Sequence, residues 1–236
     1  MEVQATGTGR IPHGVTMRRV FKRLAGFVLI PLTKWFLSKE RTYKKAGLHL
    51  RVFPGVFHPG LFSSTTLLLE FLEEQGLKGS TFLELGCGTG LLSIAAARKG
   101  ASVTASDMNP KAIENTRVNA EANGVHLDIV TSDLFTNLPP TLFDWIIINP
   151  PYYAKNPTTD ADVAWYCGEN FEYFEKLFKQ LIPYRDSNII MVLTQACDVR
   201  RIKAIAMKNG FQFETIREKE SFFDERDFLF RVRGGS

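Results

Sequence analysis

From residue 81 onward the chain alternates between two apolar rhythms. Short apolar runs at Thr81–Leu85, Ser102–Ser106, Leu127–Thr131, Phe143–Ile148 and Asn188–Thr194 predict five strands. The run Trp145-Ile146-Ile147-Ile148 offers no polar face, which suits a strand covered on both sides. Between the runs, residues 91–99, 110–122, 170–182 and a segment ending at Asn209-Gly210 read as helices. The punctuation agrees. Gly100 closes the first helix, Asn109 caps the second with Pro110 at its first position, and Asn123-Gly124 ends it. Residues 211–219 and 226–233 predict two further strands.

Strand–helix alternation with short connections predicts an α/β fold, a doubly wound, mostly parallel seven-stranded sheet with helices on both faces. Such sheets bind ligands at the carboxyl ends of their strands. Chemistry is therefore sought near residues 86, 107, 133 and 149.

Ahead of the alternation, Leu48–Phe53 alternates apolar and polar residues and reads as a strand. Pro54-Gly55 and Pro59-Gly60 mark turns, and Ser63 or Ser64 can cap a helix whose apolar face is Leu67, Leu68, Phe71 and Leu72. Arg18–Phe36 reads as one or two basic amphipathic helices broken at Pro31. Residues 1–16 show no periodicity and are expected to be disordered or tag-like. The expected organisation is therefore 1–16 disordered, 17–50 a short basic helical extension, and 51–233 the catalytic domain.

Charge sharpens this division. Residues 1–50 hold ten Lys and Arg against Glu2 and Glu40, so a net charge of +4 hides a basic arm on a mildly acidic domain. The arm suggests contact with an anionic partner such as RNA, the ribosome or a membrane surface, or else a solvated helix face. The apolar stretch Leu24–Leu32 is too short to span a bilayer, and no transmembrane segment is expected. Cys87, Cys167 and Cys197 are odd in number and far apart, which excludes a disulfide framework and a zinc site by pattern and fits a reducing cytoplasm. No metal is expected, and nothing in the sequence fixes the oligomeric state.

The first predicted strand runs into Gly86-Cys87-Gly88-Thr89-Gly90. Alternate glycines let the backbone turn tightly and approach a ligand, while the following helix presents N–H groups to an anion. Leu91 stands where a dinucleotide fingerprint needs glycine, and no P-loop lysine follows. The loop suits a smaller anion, such as the carboxylate of an amino-acid-like cofactor. Asp107 ends the second strand and can accept both hydroxyls of a ribose. Asp133 ends the third. With Leu134 behind it, it can accept from the exocyclic amine of an adenine, or simply form a turn.

Asn149-Pro150-Pro151-Tyr152 follows the fourth strand directly. Two prolines stiffen the backbone and remove two N–H donors. Carbonyl oxygens and the Asn149 oxygen are left as acceptors, beside the flat ring of Tyr152. A planar –NH2 group fits them, with two donors for two acceptors and a face to stack. His58 is a lesser candidate in a structural or pocket-lining role, and Cys87 reads as a small spacer.

Together, Glu84–Gly90 and Asn149–Tyr152 resemble the class I S-adenosylmethionine (SAM)-dependent methyltransferases of the N-P-P-Y type. These include the HemK-type glutamine methyltransferases of release factors and the adenine-N6 and guanine-N2 methyltransferases. The resemblance covers about residues 57–233. Ser132–Phe135 and Ala164–Gly168 resemble the HemK-type branch, whereas residues 1–50 do not clearly resemble the helical bundle with which bacterial members grip the release factor.

The resemblance implies a Rossmann-like methyltransferase fold and a SAM cofactor without metal. It carries Glu84, Gly86, Gly88, Gly90, Asp107, Asp133 and Leu134 to the cofactor, and Asn149, Pro150 and Tyr152 to catalysis. It implies methyl transfer to a planar amide or exocyclic amino nitrogen of a protein glutamine or of a base in tRNA or rRNA. A small-molecule N-methyltransferase and a catalytically silent RNA- or ribosome-binding module are the alternatives.

Overall fold

A computed structural model describes residues 38–138, 141–159, 162–220 and 226–235. The expected disordered residues 1–16 and the basic helices from residue 17 to 37 lie outside the described residues. From Glu40 onward the chain forms one compact unit.

Its elements are β1 (Arg41–Lys45), β2 (Leu48–Val52), α1 (Ser63–Glu73), β3 (Thr81–Leu85), α2 (Leu91–Arg98), β4 (Ser102–Asp107), α3 (Pro110–Ala122), β5 (Asp128–Thr131) and β6 (Trp145–Ile148). There follow α4 (Glu172–Gln180), β7 (Asn188–Thr194), α5 (Val199–Lys208), β8 (Phe211–Glu220) and β9 (Arg226–Gly234). Seven strands form one sheet in the order β5-β4-β3-β6-β7-β9-β8. The first five are parallel, and β9 enters antiparallel between β7 and β8.

The sheet is covered on both faces, as the apolar runs required. Ile146 and Ile148 pack with Phe174, Phe178 and Ile202 of α4 and α5. Ile147, between them, packs on the opposite face in the core that holds Leu68, Leu92 and Ile113 of α1, α2 and α3. All three isoleucines are fully buried, each worth about 1.5–3 kcal/mol relative to exposure. Asn109 caps α3 as its sequence suggests, accepting from Lys111 N–H at 2.9 Å. At α1 the expected serine cap is replaced: Phe62 holds the N-cap position and Ser63 is already helical.

One expectation is corrected. The extension expected to be helical as far as residue 50 contains a β-hairpin, β1–β2, paired from Arg41↔Val52 to Lys45↔Leu48. Ala46 and Gly47 make its two-residue turn with φ of 50° and 72°, the left-handed conformation that matches strand twist. Alanine is a poor marker for that conformation, and the flanking lysines masked the strand. The domain thus begins near residue 40 rather than 51.

The hairpin is fastened to α3 by side chains. Asn115, Asn119 and Asn123 recur every fourth residue along one helix face. Asn115 accepts from Phe53 N–H (2.9 Å) and donates to Arg51 O (2.8 Å). Asn119 accepts from Arg51 N–H (2.8 Å) and donates back to Arg51 O (2.9 Å). Asn123 does the same with His49 (3.2 and 2.8 Å). Four helical residues rise about 6 Å and two strand residues about 6.6 Å, so the rungs keep step. The side-chain amides thereby act as a substitute strand for β2.

Candidate active site

The carboxyl ends of β3, β4 and β6, with the turn after β5, open into one pocket. Its walls include Glu84, Gly86, Gly88, Asp107, Asp133 and Leu134, and across from them Asn149, Pro150 and Tyr152. Nine of the ten residues singled out in the sequence therefore meet. Gly90 is the exception. A Cβ there would lie 2.8 Å from Thr116 Cγ2, and its φ is +78°, so its role is to seat the loop against α3. At Gly86 and Gly88 an added Cβ meets nothing within 4 Å and would occupy open space; both have positive φ. These two glycines keep the cradle open and its backbone reachable.

Asp107 is held by the loop it faces. Gly88 N–H donates to one carboxylate oxygen (3.0 Å) and Asn109 N–H to the other (2.9 Å). Each oxygen retains a lone-pair position for a further donor. Burial raises the carboxyl's pKa, and the amides of Asn109, Gly88 and Met108 oppose that rise.

Glu84 lines the pocket too, but its carboxylate is engaged within the protein. It accepts from both the N–H (2.8 Å) and the hydroxyl of Ser93 in the first turn of α2. One of the helix's free N–H groups is thus used internally rather than left for a ligand anion. Burial pushes Glu84 up to about 8 against the Ser93 bonds, and the negative charge of Asp107 adds to the rise.

Asp133 is half exposed, and Lys176 on α4 pairs with one of its oxygens. Leu134 is buried with φ +53°, in a turn that Ser132 closes by donating its hydroxyl to Leu134 O at 2.7 Å.

On the other wall, Asn149 Nδ2 donates to Thr65 Oγ1 at 3.4 Å, and Pro150 and Tyr152 are buried. Tyr153 next in line returns into the 153–168 loop, taking a hydrogen bond from Cys167 N–H and giving one to Trp165 O, both at 3.0 Å. Trp165 packs on Phe57 and Phe62 with ring centroids 5.2 and 5.0 Å apart, joining that loop to the 53–62 segment at the pocket mouth. His58 takes a structural role, its Nδ1 accepting from Gly60 N–H at 3.1 Å. Cys87 is buried against Thr116 Oγ1 (3.3 Å), its thiol pKa raised well above normal by burial and by the charges of Asp107 and Glu84.

Thr65, Phe57 and Tyr173 are among the pocket residues that the sequence reading missed. Thr65 lies on a helix recognised only by its apolar face, and Phe57 sits in a turn region. Tyr173 belongs to α4 and reads as core, yet it lines the pocket. Burial raises its hydroxyl pKa, and Asp107 and Asp133 add to the effect. No local motif marks any of them. Among the described residues no cluster of His, Cys, Asp and Glu can hold a metal, and no helix is long and apolar enough to cross a membrane.

Strand order, the antiparallel β9 and a strand-end pocket walled by glycines and an acid define a doubly wound, nucleotide-type binding fold. The profile of the methyltransferase small domain family matches residues 47–168, just over half of the chain, and the chain belongs to that family. It is 41% identical over 117 residues to a Methanocaldococcus jannaschii protein whose name assigns it provisionally to the protein N5-glutamine methyltransferases. That match covers 49% of this chain and 57% of the relative. It is 38% identical over 120 residues to the ribosomal RNA small subunit methyltransferase C of Shigella flexneri, covering 50% and 34%. The chain thus spans between a third and about three-fifths of these relatives.

Among solved structures, the E. cuniculi Mtq2–Trm112 complex responsible for methylation of the eRF1 termination factor aligns with TM-score 0.59 at 21% identity, covering 77% of this chain and 99% of that one. The T. thermophilus 16S rRNA N2 G1207 methyltransferase with AdoMet and guanosine aligns with TM-score 0.58 at 20% identity, covering 81% and 50%. These two alignments establish the fold.

Proposed function

We propose that the protein transfers a methyl group from SAM to a planar amide or exocyclic amino nitrogen, of a protein glutamine or of a base in tRNA or rRNA. The observation that carries this reading is a single pocket walled by Asp107 on one side and Asn149 on the other. The residues fit the cofactor: Gly86 and Gly88 face open space, and Asp107 keeps acceptor positions for paired hydroxyls. When bound, SAM supplies an electrophilic methyl on a sulfonium.

An amide or aniline-type nitrogen is a poor nucleophile because its lone pair is delocalised. In this reading the Asn149 oxygen and the Pro150 carbonyl accept its two N–H groups, favour a pyramidal nitrogen and localise the pair. The same acceptors stabilise the positive charge that nitrogen gains. The Tyr152 ring supports the acceptor plane. Much of the acceleration is orientation, and no strong general base is required, since the methylated nitrogen is acidic enough to lose its proton to water while S-adenosylhomocysteine would be the leaving group. The acceptor wall suits either class of relative, since a glutamine amide and a base amine present the same two donors.

The basic segment before residue 40 would add contact with RNA or a ribosomal complex in the cytoplasm. An affinity for RNA that falls steeply with salt, and flattens on replacing Arg18, Arg19, Lys22 and Arg23 with Ser, supports that; no RNA binding at low salt removes it. For the activity itself, calorimetry should give micromolar binding of SAM or S-adenosylhomocysteine, about −8 kcal/mol. Tight binding of NAD with none of SAM would refute the reading. Labelling a cell extract with methyl-radioactive SAM, then digesting with protease or nuclease, decides between protein and RNA acceptors.

A further inference from the structure

The amide ladder reaches the pocket at one rung. Asn119 is fully buried and uses its whole amide. Its oxygen accepts from Arg51 N–H, one N–H goes to Arg51 O, and it also donates at 2.9 Å to Thr89 O, in the glycine loop itself. Because the oxygen meets a backbone donor and the nitrogen meets two carbonyls, this amide has one satisfied orientation. Thr116, one turn earlier, donates to Gly88 O at 3.1 Å and packs where a Gly90 side chain would stand. The helix that backs the cofactor loop is thus the helix that carries β2. Two residues beyond Arg51, Phe53 opens the segment whose Gly55, Val56, Phe57 and Pro59 wall the pocket. Asn109, the cap of α3, touches that segment again by donating to Gly55 O at 3.4 Å.

We propose that Asn119 is a positioning residue that couples the two walls. It fixes the Thr89 carbonyl, and with it the backbone of the loop whose Gly86 and Gly88 line the pocket. Through Arg51 it sets the start of the segment forming the acceptor-side mouth. A ligand that orders the glycine loop then also orders β2 and the mouth, so cofactor loading prepares the acceptor side. The inference rests on the reading of the glycine loop as the cofactor cradle. A buried amide serving two backbone segments is suited to this because neither segment can move without leaving a buried polar group unpaired.

Hydrogen exchange on the full chain, with and without S-adenosylhomocysteine, tests the coupling. The expected result is slowed exchange at the glycine loop and equally at the Arg51 amide, which donates to Asn119 on α3 and not to any residue lining the pocket. Protection confined to the pocket lining would overturn it. Asn119→Asp keeps the acceptor for Arg51 N–H but removes both donations. It should weaken S-adenosylhomocysteine binding roughly ten-fold and abolish protection at Arg51, as expected for losing hydrogen bonds at a buried site.

Asn123→Ala removes the outer rung, which does not touch the glycine loop, and should leave that affinity unchanged while freeing His49 N–H. Equal affinity in wild type and Asn119→Asp, or equal losses in the two variants, contradicts the proposal. Should Asn119→Asp fail to fold, the wild-type exchange pattern decides alone. A wild-type protein that binds no S-adenosylhomocysteine contradicts the cofactor reading instead, and calorimetry separates that case.

Discussion

The two walls of the pocket are built differently. On the wall proposed for the cofactor every acid has a partner within the protein: Asp107 has Gly88 and Asn109, Glu84 has Ser93, and Asp133 has Lys176. On the acceptor wall Asn149 has one long contact, to Thr65 at 3.4 Å, and the mouth is closed by half-buried rings that pack on one another. Hydrogen-bonded walls hold one geometry, whereas ring contacts slide at little cost. The contrast suits a site that binds one invariant cofactor and accommodates an acceptor carried on something larger.

The sharpest way to break the comparison is Asn149→Ala. Turnover should fall about 100-fold or more, because the interaction is strongest in the transition state, while cofactor affinity stays nearly constant. Unaltered turnover would remove Asn149 from the mechanism. Asp107→Ala should do the reverse, weakening SAM binding by roughly 1.5–3 kcal/mol, the range for a hydrogen bond to a charged group. Isothermal calorimetry reads it, and an unchanged affinity would mean that the cofactor wall has been misassigned.

Trp165→Ala probes the sliding side. It should cost about 1 kcal/mol, the scale of aromatic pairs, and raise the half-saturating acceptor concentration far more than it weakens SAM binding, which it reaches only through the coupling of the two walls. An equal loss at both would show that the two walls are not distinct there.

The buried acid of the wall proposed for the cofactor is probed by the pH dependence of stability. Burial raises Glu84 from the ordinary 4.5 to about 8, so the native state keeps a proton that the unfolded chain has released. Between those values the native state binds more protons, and the contribution of this group to stability declines as pH rises, levelling above about pH 8. Urea midpoints of the ligand-free protein across this window should fall with pH, and Glu84→Gln should flatten the trend. An identical slope in that variant would mean that Glu84 ionises freely.

The same contrast explains what could be read from the sequence. The wall proposed for the cofactor is local: glycines, a strand-end acid and a cap lie in consecutive runs, so Gly86, Gly88 and Asp107 were legible in position and Asn109 as a cap. The strands were legible because β6 and β7 are buried on both faces and must be continuously apolar. The acceptor mouth is assembled from 53–62, α1 and 153–168, segments brought together only by folding, and Thr65, Tyr173 and the Phe57–Trp165 contact carry no local signature. Glu84 was legible in position but not in use, since its partner Ser93 lies a turn into the next helix. The hairpin was half legible. Leu48–Val52 alternates, but Arg41–Lys45 is lysine-rich and turns on Ala46. The ladder of Asn115, Asn119 and Asn123 did leave a trace, an amide at every fourth residue, which signals a polar partner running beside a helix.

The most direct test of the account is to locate the transferred methyl. Acceptor material from cells lacking this protein would be incubated with methyl-labelled SAM and either the wild-type protein or Asn149→Ala, then hydrolysed and separated. The account expects label on nitrogen, as the N-methyl amide of glutamine or the exocyclic N-methyl amine of a base, and nearly none with the variant. Label on oxygen or carbon, or equal labelling by both proteins, would contradict it.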